Sequence, residues 1–386
     1  MLQNKHTNSF PVYLSFFTSN AYIRLQSAAG LHSFYPQLPS YTGFVPVSIE
    51  PFSNLDAQTI RDYLVQQGED SPAVIDWKYF DSTFTRGRER GFACIQNGRI
   101  HGTLGLIPFQ ALINGERLET AWSCDWYRDL SLPGPMGIML IKHSLRSYPL
   151  LYSLGGSAQT RMIMPRLSQY TAATAGIEFH KPLRLGGAIR ASARLTRFSV
   201  PKSIPIVDHL PLPLFIRRAP DCEAHLSMDL NSALNSIPDP SWADQPCPAY
   251  DLPYIKWQLG RCPVISAGVC TVSSSSQSAV AILFWRLVTN KRFWRLAVLG
   301  NTNSTLTLVC GLQRVLQHIQ EEGGWMASVL ASRLDASLLA ALKKAGFFSG
   351  QRRPLFILNQ LPHVAITELQ RLSYLDTDYA YRFNFV

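Results

Sequence analysis

The chain of 386 residues lacks a long apolar run, and its N-terminal run MLQNKHTNSF lacks the basic start and apolar core of a signal peptide. The longest apolar candidate, residues 279–285, is far shorter than the 18 or so residues that a membrane span requires. We therefore expect a cytoplasmic protein without a membrane span.

Paired cysteine motifs are also lacking. The seven cysteines form no C-x-x-C pair and are scattered among apolar neighbours. An odd, unpatterned set argues against a disulfide framework and against a zinc site. We expect buried thiols that act as small hydrophobic side chains, and no metal.

Acidic residues are scarce, with 26 Asp and Glu against 36 Lys and Arg, which leaves a net charge of +10. This excess favours anionic partners such as phosphates. The basic residues do not concentrate in one arm, and their tightest cluster is Arg86, Arg88 and Arg90. Charge alone does not decide among phosphates, acidic glycans and nucleic acid, of which nucleic acid is not the partner that we expect. A hydrophobic content of 46% fits a packed globular protein.

Two Asn-Gly pairs, Asn97-Gly98 and Asn114-Gly115, separate runs rich in apolar, aromatic and β-branched residues. Such pairs supply the positive φ angles of a two-residue hairpin turn. The pattern predicts a three-stranded antiparallel meander over 92–96, 99–109 and 116–127. A glycine-bearing loop follows and opens a helix whose first amides could hold an anion.

The order of elements recurs in the second half. Tyr254-Ile255-Lys256-Trp257 echoes Val74-Ile75-Asp76-Trp77, and about 90 residues separate the Trp from the end of a late helix in both halves. This spacing indicates an internal duplication, with two unrelated α/β halves as the alternative. We predict an arm over 1–50, a first domain over 51–188, a Pro/Ser-rich connector over 189–250 and a second domain over 251–386. Residues 172–185 are expected to form the last strand of the first sheet.

Four short motifs carry a family resemblance: D-W-K-Y-F at 76–80, D-W-Y-R-D at 125–129, G-P-M-G-I-M-L at 134–140 and L-K-K-A-G-F-F at 342–348. The chain resembles the GNAT superfamily of N-acetyltransferases, in the tandem form associated with bacterial polysaccharide biosynthesis. The resemblance implies an α/β (α+β) fold of two tandem GNAT-like domains. Each would be a mixed, mostly antiparallel sheet flanked by helices, with the second copy degenerate.

The resemblance also implies acetyl-CoA, or another acyl-CoA, as co-substrate in the gap between the fourth and fifth strands. Its pyrophosphate would lie on backbone amides at the start of the following helix. This chain departs from the family's loop pattern in two ways. No Arg or Gln begins its motif, and two prolines each remove a backbone N–H donor. The positions that match the family's loop are Gly134, Met136, Gly137, Ile138 and Met139.

Acyl transfer to an amine needs a proton acceptor and a proton donor for the leaving thiolate. In the family these are commonly a carboxylate and a tyrosine. Glu119 and Asp125 are the carboxylates nearest the expected cleft, and in a regular strand residues six apart face the same side. Tyr170 is the candidate for protonating the thiolate.

The leading hypothesis is therefore an acyl-CoA-dependent N-acyltransferase that acetylates an amino sugar or another small amine. The first domain would be catalytic, and the second would close the acceptor site. Two alternatives remain open. One is a Fem-type aminoacyl-tRNA-dependent transferase, which the positive charge would suit. The other is a non-catalytic binding or scaffold protein derived from the same fold.

Overall fold

The computed structural model describes residues 47–68, 71–85, 87–113, 115–129, 135–167, 169–172, 176–196, 205–214, 222–235, 247–274, 277–300, 304–361 and 372–376. Residues 46–386 form one compact unit. Most of the predicted arm, 1–50, lies outside the described residues, and Ser48–Pro51 at its end forms the first strand. Gly134 also lies outside them.

The strands are β1 (Ser48–Pro51), β2 (Gly91–Gln96), β3 (Arg99–Ile113), β4 (Glu116–Arg128), β5 (Leu150–Leu154), β6 (Tyr170–Ala172), β7 (Gly176–Pro182), β8 (Cys222–Ser227), β9 (Cys247–Ala249), β10 (Ile265–Ser274), β11 (Gln277–Leu287), β12 (Asn290–Leu299), β13 (Met326–Ser332), β14 (Phe348–Arg353) and β15 (Leu355–Asn359). The α-helices are α1 (Ala57–Gln66), α2 (Pro72–Ile75), α3 (Ser82–Thr85), α4 (Met136–Ser147), α5 (Ala158–Ile163), α6 (Leu185–Thr196), α7 (Pro205–His209), α8 (Leu230–Leu234), α9 (Leu252–Ile255), α10 (Thr305–Glu321) and α11 (Ala336–Lys344). Short 3₁₀ turns lie at Phe52–Asn54 and Met164–Arg166, and π-helical turns lie at Asp76–Phe80 and Lys256–Gly260.

The predicted meander is confirmed. β2, β3 and β4 pair antiparallel in sequence order. Asn97 and Gly98 both have positive φ, 52° and 70°, as the hairpin between β2 and β3 requires. The first sheet has the order β1-β2-β3-β4-β5-β15-β6, with β9 also pairing with β3.

The second sheet has the order β14-β7-β13-β12-β11-β10-β8. The prediction that 172–185 ends the first sheet is wrong, because β7 lies in the second sheet and pairs with β13 over seven positions. In return β15, from the C-terminal half, lies in the first sheet between β5 and β6. Local sequence indicates a strand but not its partner, since pairing is decided by residues far along the chain.

The described parts of the predicted connector, 189–250, include strands of both sheets. β8 pairs with β10 at the edge of the second sheet, and β9 pairs with β3 of the first. The segment therefore adds a strand to each sheet. The domain boundaries themselves stay a prediction.

The two halves meet through a reciprocal contact of two tryptophans, each on a π-helical turn. The rings of Trp77 and Trp257 stack with centroids 4.6 Å apart and planes at 16°. Trp77 Nε1 donates to the carbonyl oxygen of Trp257 at 3.0 Å, and Trp257 Nε1 donates to that of Trp77 at 3.3 Å. Equivalent groups that contact each other in this way are the mark of a local two-fold relation. The contact supports the predicted duplication.

Candidate functional site

β4 and β5 lie side by side for only two residue pairs. Ala121 pairs with Leu151 and Trp122 with Tyr152, in parallel register. β4 then continues to Arg128 without a further ladder pair to β5 among the described residues. The two strands therefore separate beyond Trp122, and the gap that the resemblance predicts lies between them.

A β-bulge interrupts β4 inside this gap. The ladder with β3 passes from Gly105↔Cys124 to Thr103↔Tyr127, so β4 carries one extra residue. Asp125, within the bulge, has a φ of 46°. Thr103 Oγ1 donates to the carbonyl oxygen of Asp125 at 3.1 Å and holds this left-handed backbone in place. The expectation of a regular strand from Glu119 to Asp125 is therefore wrong.

The first turn of α4 presents backbone amides beside the end of β4. No side chain caps this helix at Pro135, and the amide of Met139 donates to the carbonyl oxygen of Pro135 at 3.0 Å. In the described part of the chain, the amides of Met136, Gly137 and Ile138 meet no acceptor, as expected for a helix N-terminus. Three of the predicted positions therefore offer donors to an anion, and Met139 offers only its side chain, which is 45% exposed.

Gly137 lets this turn approach β4 closely. A Cβ at this position would lie 3.3 Å from Nε1 of Trp126, so any side chain would force the indole to move. Trp126 and Ile138 pack against the same apolar cluster as Leu140. The amide turn and the bulged strand therefore lie against each other.

A buried ionic group lies directly behind the bulge. Lys78 Nζ is 2.5 Å from Asp125 Oδ2, and each side chain is only 2% exposed. The hydroxyl of Tyr79 donates to the same Asp125 oxygen and lies 3.5 Å from Cys124 Sγ. Gly105 makes room for this hydroxyl, because a Cβ there would overlap it. Lys78 and Tyr79 thus fix the side chain of Asp125 from the face opposite α4.

Arg90 ties this group to the second half. Its Nε donates to the carbonyl oxygen of Lys78 at 3.1 Å, and its guanidinium lies 4.8 Å from the ring centroid of Trp257. Burial lowers the pKa of Arg90 to about 10, since the charged form is removed from water. A desolvated cation stacked on an indole in this way links the two repeats at the level of the bulge.

Glu119 lies elsewhere on β4, in a groove that also contains Phe84 and Tyr254. Gln110 Nε2 donates to Glu119 Oε1 at 3.0 Å, and an Arg88 nitrogen lies 3.6 Å from the same oxygen. Its side chain is 33% exposed. Strand residues advance about 3.4 Å each, so Glu119 and Asp125 are about 20 Å apart along β4. The structure does not bring the two predicted carboxylates together.

Tyr170 is also distant from the bulge. It pairs with Leu358 of β15 and packs against Phe356, with ring centroids 6.4 Å apart. β6 is two strands beyond β5, or about 10 Å at the usual strand spacing. The tyrosine that contacts Asp125 is Tyr79.

Sequence reasoning used D-W-K-Y-F only for the resemblance and missed Lys78 and Tyr79 as members of the site. A signal was present in the repeat: when Trp77 is aligned with Trp257, the following residues are Gln258 and Leu259 in the second half. The charged and hydroxyl-bearing pair therefore occurs in one copy alone.

The described residues contain no group of three or more His, Cys, Asp or Glu side chains arranged to hold a metal ion. Nor does any helix among them have the length and hydropathy that crossing a membrane demands.

No protein-family model and no curated protein matches the sequence. The fold is similar to that of a conserved protein of unknown function from Enterococcus faecalis V583, a probable N-acyltransferase. The two chains share 10% identity, the match covers 82% of this chain and 73% of the other, and the TM-score is 0.52. The expected α/β fold of two mixed, mostly antiparallel sheets flanked by helices is confirmed, and this neighbour shares it.

Two further structures match less well. A GCN5-related N-acetyltransferase from Anabaena variabilis ATCC 29413 has 14% identity, a TM-score of 0.49 and coverage of 81% of this chain and 72% of its own. Saccharomyces cerevisiae N-myristoyltransferase with bound myristoyl-CoA has 11% identity, a TM-score of 0.48 and coverage of 84% of both chains. TM-scores below 0.5 do not establish a shared fold.

Proposed function

We propose that this protein is an acyl-CoA-dependent N-acyltransferase whose reaction takes place in the first half of the chain. The observation that carries the proposal is the gap between β4 and β5 beside the uncapped first turn of α4. The fold shared with the Enterococcus faecalis protein supports it. The acceptor is proposed to be a small amine such as an amino sugar, and the association with polysaccharide biosynthesis stays a prediction.

In this proposal, the pyrophosphate of acyl-CoA accepts hydrogen bonds from the amides of Met136, Gly137 and Ile138. Backbone donors at a helix N-terminus suit an anion because both their hydrogen bonds and the helix dipole favour negative charge. The predicted loop residue Gly134 precedes them in the chain. Met139 lies at the rim, because its amide is already bonded within the helix.

The reaction itself requires the amine nitrogen to attack the thioester carbonyl while the CoA thiolate leaves and takes up a proton. We assign this proton to the hydroxyl of Tyr79, which lies at the bulge, and not to Tyr170. The phenolate that remains takes up the proton that the amine nitrogen loses. Asp125 accepts hydrogen bonds from Tyr79 and Lys78 and so positions both. Glu119 is too far along β4 to act on the same atoms. Its proposed role is to attract a cationic acceptor into the groove.

The test compares two exposed apolar residues in the first turns of two helices, Met139 in α4 and Leu306 in α10. Glutamate near a helix N-terminus does not harm folding, but in α4 it would repel the pyrophosphate. We expect acetyl-CoA to raise the melting temperature of the wild type in a saturable way. Met139→Glu should weaken acetyl-CoA binding about tenfold, a change of about 1.4 kcal/mol, while Leu306→Glu should leave it unchanged.

Absence of an acetyl-CoA effect on the wild type would contradict the proposal and favour a binding or scaffold protein. An equal loss in both variants would contradict the assignment of the site to α4.

A further inference from the structure

A second cavity lies on the outer face of the second sheet, where β7 meets α10 and the end of α11. It is a partly open hollow whose empty volume, counted out into solvent, is about 360 Å³. Lys181 of β7 and Lys344 at the end of α11 supply two positive charges, and Leu214 and Leu316 supply apolar walls. The amide side chain of the buried Gln313 completes the lining.

The ammonium of Lys181 has no counter-ion in the described part of the chain. The side chain is partly buried, and no hydrogen-bond acceptor or carboxylate contacts it there. Desolvation lowers the pKa of Lys181, which is the direction expected for a cation taken from water without a partner. Removing a charged group from water is costly unless an opposite charge compensates it.

Gly346 gives Lys181 access to this cavity. A Cβ at position 346 would lie 2.7 Å from Lys181 Nζ, and the φ of 79° at Gly346 independently favours glycine. The ammonium thus lies against the C-terminal end of α11, where the helix dipole favours a cation. None of the last carbonyls of α11 accepts a hydrogen bond from it, so the dipole does not replace a counter-ion.

We propose that this cavity, lined by Lys181 and Lys344, is a binding site for a small phosphate-bearing molecule. A lysine ammonium carries three donors and acts as a point charge, which suits the oxygens of a phosphate group. Bound phosphate would give Lys181 its missing acceptors, and Lys344 would share the remaining charge. The leucine walls leave room for an apolar substituent on the phosphate.

The site is separate from the proposed acyltransferase centre, since it lies on the other sheet and uses none of the residues of β4 or α4. The proposal therefore stands or falls independently of the acyl-CoA assignment. Tests are made in the Met139→Glu background, so that phosphate bound at the first turn of α4 does not contribute.

The experiment measures how fast individual lysines react with trace acetic anhydride at pH 8, by mass spectrometry of the resulting peptides. Lys181 should react in chloride buffer, because a lowered pKa raises the fraction of its amine that is neutral. Inorganic phosphate at equal ionic strength should slow its reaction at least fivefold. Lys343, the exposed neighbour on α11, should react at the same rate in both buffers and serves as the internal control.

Two variants and two further anions test whether the protection comes from phosphate bound between Lys181 and Lys344. Lys344→Met should reduce the protection of Lys181, whereas Lys343→Met should not. Glycerol 3-phosphate should protect Lys181 as inorganic phosphate does, and acetate should not. No protection by phosphate, equal protection of Lys181 and Lys343, or protection by acetate as strong as by phosphate would each overturn the proposal.

Discussion

Helix α4 in the first half begins without a side-chain cap, whereas helix α10 in the second begins at Ser304, whose hydroxyl accepts from the Thr307 amide at 3.3 Å. The bulge of β4 lies at its C-terminal end beside β5, whereas β12 pairs in register with β11 from Arg286↔Trp294 to Ala281↔Leu299 and has its irregularity at the hairpin end, before Leu287↔Asn290. β4 and β5 pair at two positions, and β12 and β13 pair at four.

The two halves also differ in the buried side chains that follow the stacked tryptophan in each half. Lys78 and Tyr79 contact Asp125 behind the bulge, and the aligned positions of the second half hold Gln258 and Leu259. The second half has thus kept the scaffold and the tryptophan contact. A gap, uncapped amides and a buried ion pair occur together in the first. The residues that pack the two halves together, Trp77 and Trp257, occur in both copies of the repeat. The residues of the candidate site occur in the first copy.

The largest expected effect on stability comes from removing the cation of the ion pair between Lys78 and Asp125. Lys78→Met removes the cation that compensates the buried carboxylate of Asp125 and should lower the free energy of unfolding by about 4 kcal/mol. Gln258→Met at the matching position should cost about 1 kcal/mol, because only a neutral polar group is lost. Urea unfolding of both variants measures the difference. Adding Asp125→Asn should recover part of the loss in Lys78→Met, and equal costs at positions 78 and 258 would contradict the comparison.

A second buried carboxylate, Asp376, has no cation beside it among the residues that the structure describes, and it offers a contrast with Asp125. Asp376 accepts from Tyr250 Oη at 2.7 Å and from the Ser373 amide at 2.6 Å, and burial raises its pKa from 3.8 to about 7. The folded protein therefore keeps a proton that the unfolded chain releases between pH 4 and 7. Stability should fall as pH rises through this window, by on the order of 4 kcal/mol in total.

Urea unfolding at pH 5 and pH 8 tests this pH dependence, with Asp376→Asn as the variant that should lack the Asp376 contribution. An identical pH dependence in the wild type and in Asp376→Asn would contradict it.

The proposed role of Tyr79 predicts an effect on turnover. Tyr79→Phe should lower kcat about a hundredfold with little change in KM for acetyl-CoA, because the proton donor is lost but the amide turn is intact. Tyr63→Phe is the matched control, since Tyr63 also donates to a carboxylate, that of Asp129 at 3.2 Å, but not at the bulge. CoA release with glucosamine as acceptor measures both. Unchanged turnover in Tyr79→Phe would remove the tyrosine from the mechanism.

The smallest effect concerns the helix cap of the second half. Ser304→Ala should cost about 1 kcal/mol of stability, the usual loss of a capping hydroxyl. It should not change the affinity for acetyl-CoA, since α10 takes no part in the proposed site. Thermal unfolding with and without acetyl-CoA checks both statements. A change in affinity would mean that the second half also binds the co-substrate.

Local signals in the sequence were sufficient for the meander, and they indicated the duplication that the contact of Trp77 with Trp257 supports. Asn97-Gly98 fixes its hairpin through its own φ angles, and the tryptophans at 77 and 257 mark the repeat. The bulge at Asp125 could not be predicted, because it depends on how β4 pairs with β3. Nor could the contact of Tyr79 with Asp125, which joins residues 46 positions apart. For the same reason sequence reasoning chose Tyr170 for the role that we propose for Tyr79.

The exchange of β7 and β15 has a consequence for the synthesis of the protein. β6 pairs with β15, and about 180 residues separate these two strands along the chain. At about 5–20 residues per second, a ribosome needs roughly 10–40 s to add them. The first sheet therefore waits for the C-terminal half before its last strands can join, although its helices and meander emerge early. A fragment ending near residue 188 would lack β15 and leave β5 with an open edge, so neither half should be obtainable as an independently folded piece.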